Sequence, residues 1–257
     1  MITEDGIKKH LENSLKVLVY DELVSTNTTA KELFEGGADG ELLILARRQS
    51  GGRGRLGRSF FSPDGGLYMS LLLRPDIDMS EAVRITTAAS VAVCRALEAN
   101  SNICCSIKWV NDVYANGKKI CGILTESRIG DGGKVGMAVL GIGVNLLPPE
   151  EGYPDNIKGR AGAVFGRGDV FDADRICADI INRFLRLYRA GLNPADFIDE
   201  YRSRSLLIGK NIDVMRIHNG EAVPAVAVGI AEDFGLSVRY GDGSCEVLTA
   251  GDVSIRI

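Results

Sequence analysis

The chain has no C-x-x-C pair and only two histidines, His10 and His218. Structural zinc needs paired thiolates or imidazoles at short spacing, so no metal site is expected, and the six cysteines read as reduced core residues. No apolar run approaches the roughly 18 residues that mark a membrane span. Glu4, Asp5 and Lys8 stand where a signal peptide needs an apolar stretch. A cytoplasmic protein without a membrane partner is expected. An excess of positive charge is also missing. Thirty Lys and Arg face 34 Asp and Glu, for a net charge of −4, which excludes a dominant electrostatic grip on DNA or acidic lipid. No Ser-His-Asp or Cys-His arrangement is legible, and no internal repeat. What is present suits a folded protein with a real core: 257 residues, 45% hydrophobic and 25% charged, give room for one large and one small domain.

The pattern along the chain changes character. After a short helix-like start, Lys16 to Tyr20 reads as a strand. Ser25 or Thr26 then caps a helix that Gly36-Gly37 stops. Strand-like runs at Glu41 to Ala46 and Leu67 to Leu73 bracket a Gly/Arg-rich segment without periodicity. Ser80 is placed to cap a long helix from Glu81 to Glu98. Ile103 to Trp109 reads as a strand, and Lys119 to Ser127 and Lys134 to Gly143 as a hairpin pair. Leu147 to Lys158, with three of the seven prolines, is a long loop of the kind that often serves as a lid. A helix from Asp174 to Ala190 follows, and Asn193-Pro194 opens another. From about Ile208 there are only short strands: Asn211 to Ile217, Ala222 to Ile230, Leu236 to Tyr240, Cys245 to Leu248 and Val253 to Ile257. The expected architecture is an α+β domain over residues 1–207 and a small β-barrel domain over 208–257.

Four clusters carry chemistry. The densest is Gln49-Ser50-Gly51-Gly52-Arg53-Gly54-Arg55-Leu56-Gly57-Arg58-Ser59-Phe60-Phe61-Ser62-Pro63. Its glycines let backbone N–H groups approach a ligand, and its arginines offer bidentate donors to phosphate or carboxylate. Lacking a Gly-Lys-Ser/Thr ending, it is not a P-loop. Alone, it also admits the reading of a flexible surface loop with solvated charge. The second is Lys108-Trp109-Val110-Asn111-Asp112-Val113-Tyr114, which runs through a hairpin to Lys118 and Lys119. Here Lys119 reads either as an exposed hairpin lysine or as a rigidly held cation, and Trp109 as core. The third, Gly141-Ile142-Gly143-Val144-Asn145, leaves bare backbone against which an adenine or ribose can lie. The fourth, Ser25-Thr26-Asn27, is a helix cap or a set of hydrogen-bonding side chains.

In this order and spacing, the four clusters resemble the catalytic domain of the biotin protein ligases, from about Tyr20 to the C-terminus. Val110 departs from the family's usual proline, and Phe60 stands where many members have tryptophan. The resemblance implies a mixed sheet with flanking helices, of the class II aminoacyl-tRNA synthetase/biotin ligase type, and an SH3-like C-terminal barrel. It implies ATP and biotin as substrates, Mg²⁺ with the ATP, formation of biotinyl-AMP, and transfer of biotin to a lysine of a biotin carboxyl carrier protein. By the same resemblance Ser25, Thr26, Asn27, Gln49, Gly52, Arg53, Gly54, Arg55 and Lys119 bind biotin. Lys119, Arg55 and Arg53 carry the catalytic charge. Arg58, Phe60, Asn111, Asp112 and Asn145 bind the nucleotide. A homodimer is compatible with the family. The alternatives are a lipoate or octanoate ligase of the same superfamily and a truncated bifunctional ligase and repressor. Only about 20 residues precede Ser25, so no DNA partner is expected.

Overall fold

The computed structural model of the chain describes residues 2–215, 221–249 and 252–255. Its main sheet has seven strands: β1 (Lys16–Leu23), β2 (Leu42–Gln49), β3 (Gly66–Leu73), β4 (Ser106–Lys108), β5 (Asp112–Ala115), β6 (Lys118–Ile129) and β7 (Val135–Asn145). They lie in the order β1-β2-β3-β7-β6-β5-β4. Helix α2 (Thr26–Glu35) is the crossover between β1 and β2, the parallel pair; every other pair is antiparallel.

Register explains how one sheet serves two purposes. One transverse row reads Leu67, Val144, Cys121, Val113 and Ile107, all buried and apolar. This face packs into the main core, to which α1 (Glu4–His10), α3 (Val83–Asn100) and α4 (Ala173–Arg189) contribute. The adjacent row, on the other face, reads Tyr68, Gly143, Gly122, Asp112 and Lys108. Helix α2 covers the β2–β3–β7 part of that face through Ala30, against Leu42, Ile44, Leu72, Met137 and Val139. The remainder lies under the Gly/Arg-rich segment. A register shift between Val113 and Tyr114 lets both Ile120 and Cys121 enter the core.

Three local expectations are corrected. The helix expected from Glu81 opens instead as a 3-10 turn, Met79–Glu81, whose capping residue is Asp78, not Ser80. The strand expected over Ile103 to Trp109 is only Ser106–Lys108, because the chain turns at Trp109 to enter β5. Ser25 occupies the N-cap position of α2 with extended backbone, yet its side chain makes no cap hydrogen bond.

The C-terminal strands β8 (Asn211–Met215), β9 (Ala222–Ile230), β10 (Leu236–Tyr240), β11 (Cys245–Leu248) and β12 (Asp252–Ile255) form a second, antiparallel sheet in the order β11-β10-β9-β8-β12. Arg216, Ile217, the Asn219-Gly220 turn, Arg256 and Ile257 lie outside the described residues. The chain reaches this sheet through α5 (Ile198–Ser203) and a stretch that pairs with β4: Ile107 N donates to Arg204 O at 2.7 Å and Leu206 N to Ile107 O at 2.8 Å. Phe234, in the β9–β10 turn, stacks on Phe197 and meets Tyr201 edge-on. Its carbonyl accepts from Trp109 Nε1 at 2.8 Å.

A half-buried ion-pair network fastens α5. Arg204 donates to both oxygens of Glu98 (2.8 and 2.9 Å) and to Glu200 (2.9 Å), which also takes Arg95. The hydrogen bonds from Arg204 hold the Glu98 carboxyl below its usual 4.5, against partial burial. At Glu200 burial acts upward, but Arg95 and Arg204 outweigh it. Depressed native values mean that the unfolded chain binds protons first. This stabilisation is complete above the ordinary carboxyl range and is lost as pH falls through the depressed native values. Thermal melts should therefore show a falling midpoint as pH drops below about 4.5. Glu98→Gln should cost roughly 2 kcal/mol at pH 7 and flatten that acid limb. A variant that melts like the parent at neutral pH contradicts this account.

Candidate active site

The site begins with an absence of side chains. Gly143 and Gly122 are register partners at the centre of the sheet, and Gly141 lies two residues further along β7 on the same face, opposite Ser70. The ring of Phe60 rests on this floor: a Cβ at Gly143 would come within 2.6 Å of it, and one at Gly122 within 2.9 Å. Gly141 is open for a different reason. A Cβ there would lie 2.1 Å from Asn27 Oδ1. Gly141 and Gly143 were expected to leave room for adenine or ribose; in the structure they receive Asn27 and Phe60.

Around Asn27 the polar groups are buried and mutually bonded. Ser25, Thr26, Asn27 and Ser70 are all buried. Ser70 Oγ lies 2.6 Å from Asn27 Oδ1 and 2.7 Å from Thr26 Oγ1. Gln49 Oε1 accepts from Thr26 N at 2.8 Å, and Gln49 Nε2 donates to Ser62 Oγ at 2.9 Å. Asn27 Nδ2 donates to Glu126 Oε2 at 2.8 Å. Glu126 also takes Lys31 Nζ at 2.5 Å and lies 3.8 Å from Arg53 Nη1. Burial acts to raise the Glu126 carboxyl, but hydrogen bonds from Lys31 and Asn27 and the charges of Lys31 and Arg53 hold it below its usual range.

The Gly/Arg-rich segment folds back on itself. Phe60 N donates to Gly52 O at 2.8 Å and Gly54 N to Arg58 O at 2.7 Å, with a 3-10 turn over Arg55–Gly57 at the tip. Gly52 is required by this return: its Cβ would stand 2.3 Å from Phe60 O. Arg55 Nη1 donates to Asn111 Oδ1 at 3.2 Å, and Asn111 Nδ2 anchors to Ile123 O on β6 at 2.6 Å. Lys119 is neither an exposed hairpin lysine nor a bare cation. Its ammonium lies 2.6 Å from Asp112 Oδ1 and 5.9 Å from the Phe60 ring centroid.

These groups border a cleft of about 220 Å³. Arg58, Lys108, Lys119 and Arg160 supply cations, with Asp112 and Asn145 beside them. An adjoining pocket of about 110 Å³ shares Arg58, Phe60, Lys108, Asp112 and Lys119 and adds Arg55 and Asn111. The far wall is the long loop after β7. Lys119 N donates to Arg160 O at 2.7 Å, and Gly162 N to Lys119 O at 2.9 Å. Asn145 Nδ2 and Tyr153 OH both donate to Gly162 O. Lys118 donates to Gly159 O at 2.5 Å and so fastens the same loop.

The expected residues thus fall into two neighbouring groups: Ser25, Thr26, Asn27, Gln49, Gly52 and Arg53 on one side, Gly54, Arg55, Arg58, Phe60, Asn111, Asp112, Lys119 and Asn145 on the other. Lys108 stood in the second cluster without an assigned role; Arg160, Ser70 and Glu126 were given no role from the sequence. Ser70 was legible as the one polar side chain in an otherwise apolar, wholly buried strand. Arg160 sits in an aperiodic loop and offered no signal. Among the described residues, no group of three or more His, Cys, Asp or Glu is placed to hold a metal ion. Among them, too, no helix is long and apolar enough to cross a membrane.

Residues 20–145 match the model of the biotin/lipoate A/B protein ligase family. The chain is 34% identical over 240 residues to the bifunctional ligase/repressor BirA of Bacillus spizizenii, covering 91% of this chain and 72% of that protein. It is 30% identical to the biotin–[acetyl-CoA-carboxylase] ligase of Mycobacterium tuberculosis, over 91% of this chain and 87% of that one. Among solved structures, the biotin protein ligase of Aquifex aeolicus in complex with biotin and ATP superposes with a TM-score of 0.74 at 26% identity, covering 94% and 98% of the two chains.

The packing at Gly141 gives a direct check. Gly141→Ala should destabilise by about 1–3 kcal/mol, because the new methyl meets the buried Asn27 amide. Gly159→Ala, where a Cβ meets nothing within 4 Å, should be nearly silent. Denaturant melts of both variants decide; equal effects would mean that Asn27 does not occupy the space over Gly141.

Proposed function

Because the chain belongs to the biotin/lipoate A/B protein ligase family, we propose that it is an ATP-dependent biotin protein ligase acting through the site described above. The observation that carries this reading is a cationic cleft, lined by Lys119, Arg58, Lys108, Arg160 and Phe60, on the same glycine floor as the polar cluster of buried Thr26 and Asn27 with half-buried Gln49. The cleft suits a triphosphate and a carboxylate; the cluster suits a small, neutral, hydrogen-bonding head group.

In the first step a biotin carboxylate oxygen bonds to the α-phosphorus of ATP while the bond to pyrophosphate breaks. In the second, the amine of an acceptor lysine attacks the acyl carbon of the mixed anhydride, AMP leaves, and the amine proton passes to solvent or phosphate. Neither step requires an enzyme nucleophile. Both require fixed positive charge where negative charge builds up. Lys119 meets that need between carboxylate and α-phosphate, with Asp112 holding its ammonium in the cleft. Arg55, fixed by Asn111, and Arg53 close over the anionic intermediate. Arg58, Lys108 and Arg160 face the polyphosphate, Phe60 offers its ring to the adenine, and Asn145 orients the loop beside the nucleotide. Asp112 is a cleft carboxylate suited to a magnesium ion carried mainly by triphosphate oxygens and water, which would offset phosphate charge. The acceptor is a biotin carboxyl carrier domain of a biotin-dependent carboxylase, presenting its lysine at the open side of the cleft.

Incubation with ATP, Mg²⁺ and biotin should yield biotinyl-AMP by mass spectrometry, and lipoate in its place should yield none. Adenylation of lipoate alone overturns the reading. Lys119→Ala should lower pyrophosphate release on the order of 10²–10³-fold. Calorimetric biotin affinity should be largely retained, since the head group is held elsewhere. Lys118→Ala should show a smaller defect, confined to the nucleotide, because it frees the loop at Gly159.

A further inference from the structure

The buried polar cluster has a direction that can be read by counting protons. Glu126 is a carboxylate, an acceptor only. It takes Asn27 Nδ2 at 2.8 Å, and the same amide nitrogen points to Leu124 O at 3.4 Å. A flipped Asn27 amide would set its oxygen against two acceptor oxygens. Asn27 Oδ1 therefore faces Ser70, and at 2.6 Å it receives the single Ser70 hydroxyl proton. The Ser70–Thr26 contact of 2.7 Å then needs a proton from the other side, so Thr26 Oγ1 donates to Ser70. The remaining contact agrees. Thr26 Oγ1 stands 3.2 Å from Gln49 Oε1, long for an O–H···O bond, while the Thr26 backbone N–H fills that acceptor at 2.8 Å.

We propose that Glu126, Asn27 and Ser70 are positioning residues that fix Thr26 Oγ1 as a hydrogen-bond acceptor toward the ligand, so that the site selects a substrate offering an N–H at that point. The proposal rests on the biotin reading above and deepens it. A ureido ring presents two N–H donors, whereas the dithiolane ring of lipoate presents none. Without the relay, the Thr26 hydroxyl would be free to rotate and meet donor or acceptor alike. With it, an acceptor atom opposite Thr26 faces only lone pairs, and the site works by rejection as well as attraction. Glu126 suits the task because Lys31 and Asn27 keep it ionised well below neutral pH, so the relay does not reverse in the working range. Gly141 belongs to the device too, since any side chain there would displace the Asn27 amide.

The test compares biotin with the two cyclic carbamate analogues, in which one ureido N–H or the other is replaced by oxygen. Affinities are measured by calorimetry on the full chain, with thermal melts for every variant. In the parent protein one carbamate should bind on the order of 100-fold more weakly than biotin, the donor having become a repelled acceptor. In Ser70→Ala, which lets the Thr26 hydroxyl rotate, that ratio should fall about tenfold. Glu126→Gln should shift the ratio the same way, because a glutamine amide can donate or accept and leaves Asn27 able to flip. This second variant sits at a less buried position and keeps the test open if Ser70→Ala fails to fold. A structural role alone would lower both affinities together and leave the ratio unchanged; an unchanged ratio in both variants overturns the relay. Failure of the parent to bind biotin at all would instead overturn the biotin reading, a result visible before any variant is made.

Discussion

At one end of one face, two central strands of the main sheet must carry no side chains at Gly122, Gly141 and Gly143, while the other face is fully committed. Leu67, Val144, Cys121, Val113 and Ile107 bury one face against the helices and provide the cohesion of the domain. Their neighbours in the next row, Gly143 and Gly122, give the opposite face no side chains, and Gly141 repeats the gap two residues along β7. Glycine in a strand interior is normally a loss in stability. Here the loss leaves space beside the central strands of the sheet. Phe60, Asn27 and the folded-back Gly/Arg-rich segment occupy it, and the cationic cleft opens at its margin. A site built on such a floor has backbone that cannot yield, so small displacements of Lys119 or Asp112 are resisted by the whole sheet.

Much of this was legible in the sequence because it depends on short-range pattern. The order of strands and helices follows from periodicity, and the Gly/Arg-rich segment and the Lys108 to Lys119 hairpin announced themselves by composition. What stayed hidden depends on register and on distant partners. That Lys119 meets Asp112 requires the shift between Val113 and Tyr114, which no periodicity reveals. That Glu126 meets Asn27 across 99 positions requires β6 and α2 to share one face. Ser25-Thr26-Asn27 satisfied the rules for a helix cap so well that the local reading and the functional one coincided in the sequence. Only the missing cap bond at Ser25 and the buried bonds of Thr26 and Asn27 separate them.

The C-terminal sheet joins this arrangement at one turn. Trp109 gives its indole N–H to Phe234, and Tyr201 gives its hydroxyl to Val110 O at 3.0 Å. Beyond these anchors lie Asn111, which fixes Arg55, and Asp112, which holds Lys119. The second sheet thus supports the site from behind, through backbone and an aromatic stack, and none of its described residues lines the cleft. Arg204 and its glutamates lock α5 in the same place.

The Trp109–Phe234 bond closes a span of 125 residues, and that distance matters during synthesis. The ribosome delivers β1 to β7 well before the β9–β10 turn, so the main sheet and its glycine floor can form while the turn carrying Asn111 and Asp112 still lacks its anchor. Competence for chemistry then arrives as a late event, set by emergence of the last strands and not by collapse of the large core. A nascent chain stalled before Phe234 would expose a formed but unbraced cleft, and the cell would make the scaffold before it makes the enzyme.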